Sequence, residues 1–152
     1  MLSLLFRLGS ERYAIPCKRV ERIVPMVRLK QMPQAPPYLA GLLNYRQRIV
    51  PVLDLCVLSS QKPAANRLSS RIILAKYPAT QDSERLLGLL AEEVTETDIF
   101  DEARLVEPGV SVEGAPYLGR VVSGSEGMIQ LIEIDQLIPA AVREALFQPS
   151  AA

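Results

Sequence analysis

The chain has 152 residues, 49% of them apolar and 22% charged, with 17 basic and 17 acidic side chains and no histidine. That length suits one core, or two very small units sharing one, and the apolar content argues against disorder; the longest apolar runs, 86–91 and 49–53, fall far short of the roughly 20 residues that a membrane helix needs. The zero net charge hides a split: residues 1–77 carry 13 Lys plus Arg against 3 acids, and residues 78–152 carry 4 against 14, so the acidic half would repel the phosphates that the basic half attracts.

Along the chain, Leu2, Leu4, Phe6 and Leu8 alternate with Ser3 and Arg7 up to Gly9-Ser10, which predicts a half-buried strand running into a tight turn. Arg12 to Ile15 supply its hairpin partner, and Pro16 ends the pairing. Val20, Ile23 and Val24 recur at i, i+3 and i+4 with charged residues between them, and this spacing predicts a short amphipathic helix closed by Pro25. Met32 to Pro37 holds three prolines and reads as a rigid connector. From Leu39 to Leu55, two apolar runs flank a polar stretch, a hairpin whose tip is Asn44 to Arg48. Ser59 to Ser70 reads as a polar loop, followed by strand-like runs at Arg71 to Tyr77, Arg85 to Ala91, Tyr117 to Val122 and Met128 to Ile134. Glu107 to Pro116 reads as a surface loop. Pro139 to Phe147 closes the chain as a short helix, with Pro139 in its first turn. Eight to ten short strands separated by turn residues predict an all-β protein, a sandwich or barrels, and their even spacing suggests two small barrels.

The segment Met1 to Leu8 lacks the basic flank, long apolar core and cleavage site of a secretory signal, which predicts a cytoplasmic location. Cys17 and Cys56 are far apart, with no CxxC pair, and read as buried reduced thiols without a metal. Catalysis finds little support. General acid–base work would fall to adjacent pairs such as Glu92-Glu93 or Asp101-Glu102, whose side chains diverge on a strand and read as a solvated acidic face. Ser123-Gly124-Ser125 has neither a base nor a nucleophile-elbow context, and phosphate loops are absent from the sequence. No catalytic residue, cofactor or metal site is therefore expected. The charge split fits two arrangements equally: the halves facing each other within one molecule, or the basic half of one molecule docking on the acidic half of another.

The order of signals resembles one family. Phe6-x-Leu8-Gly9, Tyr13-x-Ile15, Val20-x-x-Ile23, Pro33, Gly41-Leu42-Leu43-Asn44-x-Arg46 and Ile49-Val50-Pro51-Val52-x-Asp54-Leu55 are similar to the CheW-like coupling domain. Gly88-Leu89-Leu90-x-Glu92-x-Val94 and the closing strand Met128 to Leu137 continue the match through the second half. The Asn-x-Arg block followed by Ile-Val-Pro-Val-x-Asp-Leu is its specific part. The resemblance implies two five-stranded SH3-like barrels on a shared core, a basic one over about 10–77 and an acidic one over 78–138, followed by a C-terminal helix and tail over 139–152. It also implies a non-enzymatic adaptor without cofactor. Its partners would be a CheA-type histidine kinase, the cytoplasmic tip of a chemoreceptor and other CheW-like proteins, all met in the cytoplasm at membrane receptor arrays.

The residues this implies for partner binding are Asn44, Tyr45, Arg46, Val20, Arg22 and Glu92. The residues also allow blander roles: Val20, Ile23 and Val24 facing the core, Asn44 capping its own turn, Asp54 capping the turn after its strand. Departures from the family sit at these positions. The usual Asn-Leu-Arg-Gly is Asn44-Tyr45-Arg46-Gln47, which implies a turn independent of a glycine-only backbone angle. Arg22 stands where an acid is usual, and Glu92 where an aspartate is. They imply a divergent paralogue with its own partners. From another class, a small barrel binding single-stranded nucleic acid through the basic half would be distinguished by salt-sensitive retention of an oligonucleotide. A purely structural accessory domain would show neither kind of partner.

Overall fold

The computed structural model describes residues 1–60, 70–80, 83–110, 115–124 and 127–138. Among them are ten strands: β1 (Leu2–Leu8), β2 (Glu11–Pro16), β3 (Val20–Pro25), β4 (Leu39–Tyr45), β5 (Arg48–Asp54), β6 (Arg71–Thr80), β7 (Ser83–Ala91), β8 (Glu93–Ile99), β9 (Leu118–Gly124) and β10 (Gly127–Ile132). One helix, α1 (Leu55–Ser60), and three single 3-10 turns, Cys17–Arg19, Glu102–Arg104 and Ile134–Gln136, join them.

The strands form two five-stranded sheets, β8-β1-β2-β10-β9 and β3-β6-β7-β5-β4. Each is built from antiparallel hairpins and one parallel pairing, β10 with β2 and β5 with β7. In each, the chain leaving one edge strand bends back to the other edge. Lys30, beyond β3, exchanges two 2.9 Å backbone hydrogen bonds with Leu42 of β4, and Val106, beyond β8, does the same with Val121 of β9. These bridges curl both sheets toward barrels and blunt their open edges. The fold is thus the all-β pair of SH3-like barrels that the family resemblance implies.

The two halves of the chain repeat the same plan. Leu131 lies opposite Ala14 in the first sheet as Val52 lies opposite Gly88 in the second. The β1–β2 hairpin therefore corresponds to β6–β7, β3 to β8, and β4–β5 to β9–β10. After its first hairpin each half switches sheets, so residues 20–91 supply one sheet while residues 2–16 and 93–132 supply the other. Strand pairing thus divides the chain differently from the expected 10–77 and 78–138. A sequence divides naturally into consecutive stretches, whereas hydrogen bonding here interleaves them.

Three apolar clusters fill the molecule. One lies inside each sheet's curve: Leu5, Ala14, Phe100, Leu105, Val122, Ile129 and Leu131 in the first, and Leu43, Val50, Val52, Ile72, Leu74, Leu86 and Leu90 in the second. The largest sits between the sheets and takes Leu4, Phe6, Ile15, Leu53, Ile73, Tyr77, Leu87 and Leu89, among others. Strands β6 and β7 serve both sides: Ile72 and Leu74 face into their own barrel, while Ile73, Ala75 and Tyr77 face the shared core. Burial on both faces is why these strands read as continuous apolar runs. Gly88 follows from the same crowding, because a Cβ there would lie 2.7 Å from Val52 Cγ2 and 3.2 Å from Ile72 Cγ2.

Several sequence expectations change. Residues 20–25 form strand β3 and not a helix, pairing with β6 from Val20↔Ala75 to Pro25↔Arg71. A bulge between Val20 and Arg22 flips the alternation, so Val20 packs on the shared core and Val24 on the barrel interior. That flip gave the segment its helix-like spacing, and the unpaired edge of β6 decided the outcome by satisfying its backbone. Helix α1 occupies the end of the expected strand and the start of the expected loop. It is capped by Asp54, whose Oδ1 accepts the backbone N–H groups of Cys56 at 2.9 Å and Val57 at 3.3 Å. Of the acidic pairs read as a solvated face, Asp101 and Glu102 are exposed, while Glu93 opens strand β8, which pairs with β1 from Leu2↔Ile99 to Arg7↔Glu93. The rest of the Ser59 to Ser70 loop up to residue 69, and the helix expected at Pro139 to Phe147, lie outside the described residues.

Candidate partner-binding surface

The β4–β5 hairpin turns in two residues. Tyr45 pairs with Arg48 at the last rung, and Arg46 and Gln47 make the turn with φ of +49° and +68°. Two successive left-handed residues match the twist of the flanking strands, which is why such loops favour Asn-Gly. Gln47, at the position of the family's glycine, takes a left-handed angle that favours glycine but that other residues also adopt. Asn44 helps hold it there, its Oδ1 accepting the Gln47 N–H at 3.1 Å, so Asn44 does cap its turn.

Tyr45 lies half-buried with its ring packed against the barrel interior. The guanidinium of Arg46 rests 5.3 Å from the centroid of that ring, within the range of a cation–π contact. Arg46, Gln47 and Arg48 are exposed, as is 65% of Ile49, which sits opposite Asn44. Lys30, brought alongside Leu42 by the barrel-closing bridge, is an exposed cation on the same edge. Its neighbourhood was not visible in the sequence, because the bridge joins residues twelve apart through a proline-rich connector.

The other expected contact residues are elsewhere. Val20 and Arg22 lie on β3, at the opposite end of the strand order from β4; Val20 is partly buried on the shared core and Arg22 is exposed. Glu92 sits in the second sheet-switching connector and faces inward. Its Oε1 accepts the Gly9 N–H at 3.1 Å and the Cys56 thiol at 3.3 Å, binding the β1–β2 turn of one sheet to the helix that follows the other. Burial first, then the hydrogen bond to Glu92, pushes the Cys56 thiol up to about 12. It therefore stays protonated as a donor. Cys17 is only partly buried, against the expectation of two buried thiols.

The first connector carries a matching tie that sequence reasoning missed. Arg19 donates to both oxygens of Asp135, at 2.8 and 3.3 Å, and to the carbonyl of Lys76, at 2.6 and 3.1 Å. Both sheet-switching connectors thus hold the barrels in one relation, one through a basic side chain and one through an acidic one. Among the described residues no group of three or more His, Cys, Asp or Glu could hold a metal ion, and no helix is long and apolar enough to cross a membrane.

The described residues thus form a two-barrel frame with an exposed basic hairpin and two tied connectors. Residues 3–142 match the CheW-like domain model, and the chain belongs to that family. It is 29% identical over 142 residues to the chemotaxis protein CheW of Rhizobium meliloti (strain 1021), covering 92% of this chain and 88% of that protein. To protein FrzA of Myxococcus xanthus it is 27% identical over 146 residues, covering 93% and 87%. The crystal structure of the scaffolding protein TtCheW from Thermoanaerobacter tengcongensis shares the fold, with a TM-score of 0.79 at 24% identity over 91% of this chain and 87% of that one.

Proposed function

We propose that the chain is a non-enzymatic adaptor that couples a chemoreceptor of the methyl-accepting type to a CheA-type histidine kinase, working in the cytoplasm at receptor arrays. The observation that carries this reading is the β4–β5 tip. Arg46, Arg48 and Ile49 are displayed to solvent on a turn whose angles and cap are fixed in advance, and arginine and tyrosine are among the residue types enriched at interface hot spots. The chemotaxis name of the Rhizobium meliloti relative supports the pathway. Arg46 is the contact residue, with Tyr45 beneath it, Asn44 shapes the turn, Val20 and Arg22 belong to a separate edge that takes a second partner, and Glu92 acts from within by fixing the barrels.

The test is a pull-down from native lysate with the wild type and Arg46→Ala in parallel. Retention of a histidine kinase together with a receptor by the wild type, and its loss in a variant of unchanged melting temperature, is the expected result. Capture of nucleic acid, or equal retention of the kinase by both proteins, would overturn it.

A further inference from the structure

The turn of the β4–β5 hairpin places two long side chains where the backbone favours glycine or asparagine. Arg46 and Gln47 both have positive φ, a conformation that brings a Cβ too close to the backbone for comfort. Such strain persists where neighbouring groups over-determine it, and it concentrates at functional positions. Two neighbours do so here. Asn44 accepts the Gln47 N–H, and Tyr45, wedged with its ring against the interior cluster of Leu43, Val50 and Val52, lies beneath the Arg46 guanidinium at 5.3 Å. The ring is thus a fixed platform and not a mobile surface side chain.

We propose that Tyr45 is a positioning residue that holds the Arg46 guanidinium as a preformed fork, making this hairpin selective for an aspartate or glutamate side chain on the partner, with an apolar neighbour covering Ile49. The inference rests on the reading of the hairpin as a partner contact and deepens it. A free arginine loses its rotamer freedom on binding, whereas one already stacked has lost it beforehand. A guanidinium held over the ring keeps the N–H donors directed away from it available for two parallel bonds to a carboxylate. Arg48 adds a second exposed cation across the turn, and Ile49, 65% exposed, supplies the apolar contact beside it. Lysine cannot replace Arg46 in this arrangement, because an ammonium has no planar fork.

The experiment titrates purified CheA-type kinase and a receptor cytoplasmic-tip fragment from the same cell, separately, into the wild type, Tyr45→Phe, Tyr45→Leu, Arg46→Lys and Arg46→Ala. For whichever partner Arg46→Ala weakens, Tyr45→Phe should bind within about twofold of wild type, Tyr45→Leu about three- to tenfold more weakly, and Arg46→Lys nearly as poorly as Arg46→Ala. The Arg46 Nε–H resonance, ring-shifted upfield in the wild type and Tyr45→Phe, should lose that shift in Tyr45→Leu. Full affinity in Tyr45→Leu alongside weakened Arg46→Ala overturns the positioning role while leaving the hairpin as a contact. Unchanged affinity for both partners in Arg46→Ala overturns the contact reading and the inference with it. If Tyr45→Leu fails to fold, the ring shift in the wild type and the penalty of Arg46→Lys decide; absence of either overturns the proposal.

Discussion

Cys56 donates its thiol to the same Glu92 oxygen that accepts the Gly9 N–H, at 3.3 and 3.1 Å. One carboxylate oxygen therefore joins three separate pieces of the chain, at the point where β7 leaves one sheet and β8 enters the other.

Burial of the Cys56 thiol, with this tie adding to it, makes stability depend on pH in the alkaline range. The folded thiol titrates at about 12 against 9.0 for the free group, so the contribution is complete below pH 9 and is lost as pH rises toward 12, because the unfolded chain gives up the proton first. The limiting slope is about 1.4 kcal/mol per pH unit. Burial raises Tyr13, Tyr38 and Tyr117 as well, in the same direction, so the thiol is isolated by difference. Urea unfolding of the wild type and Cys56→Ala at pH 7.5, 9 and 10.5 should give curves that converge as pH rises; parallel curves would refute the assignment.

Arg19 links the first connector to Lys76 of β6 and to Asp135, in the 3-10 turn that follows β10 of the other sheet. Its salt bridge is largely exposed on the aspartate side, so the ion pair by itself should contribute under about 1 kcal/mol. Arg19→Ala should cost more than Asp135→Asn, roughly 1–2 kcal/mol, because it also strips the Lys76 carbonyl of its donors. A double-mutant cycle at 50 and 500 mM salt checks this: a coupling energy that does not fall with salt would contradict it.

Gly88 leaves no space for a methyl group. Val52 and Ile72 close on it from β5 and β6, and both are fully buried, so neither can rotate away cheaply. Gly88→Ala should destabilise by about 1–3 kcal/mol through overpacking. Chemical denaturation that finds the variant as stable as wild type would show that β5 can shift.

At the β4–β5 tip, stability and function are expected to pull apart. Gln47→Gly should stabilise by about 0.5–1 kcal/mol, since glycine adopts the +68° angle without a Cβ clash. Asn44→Ala should destabilise by about 1 kcal/mol through loss of the turn cap. Melting curves of both variants, with opposite shifts of a few degrees, check the pair.

Much of this architecture was legible in the sequence because it depends on short-range patterns. Alternation marked β1, the paired runs around Asn44 to Arg48 marked a hairpin, and the apolar runs at β6 and β7 marked strands, though not that both their faces are covered. Asp54 and Asn44 took the capping roles that their side-chain chemistry favours. The family pattern pointed to Arg46 and to the two-barrel fold. What failed did so for a physical reason: Val20 to Val24 has helix spacing, and only the free edge of β6 and a bulge turn it into a strand.

Long-range pairing lay beyond the sequence. Each half of the chain sends its last three strands to the other sheet, and no local signal encodes that exchange. Arg19 meets Asp135 across 116 positions and Glu92 meets Gly9 across 83; in the sequence these are ordinary surface charges. Charge and hydropathy period are properties of neighbours along the chain, and they determined which segments become strands and which turn is displayed. Which charged side chain becomes a tie and which remains exposed was decided only when the sheets packed, because burial and partner geometry exist only in the folded state.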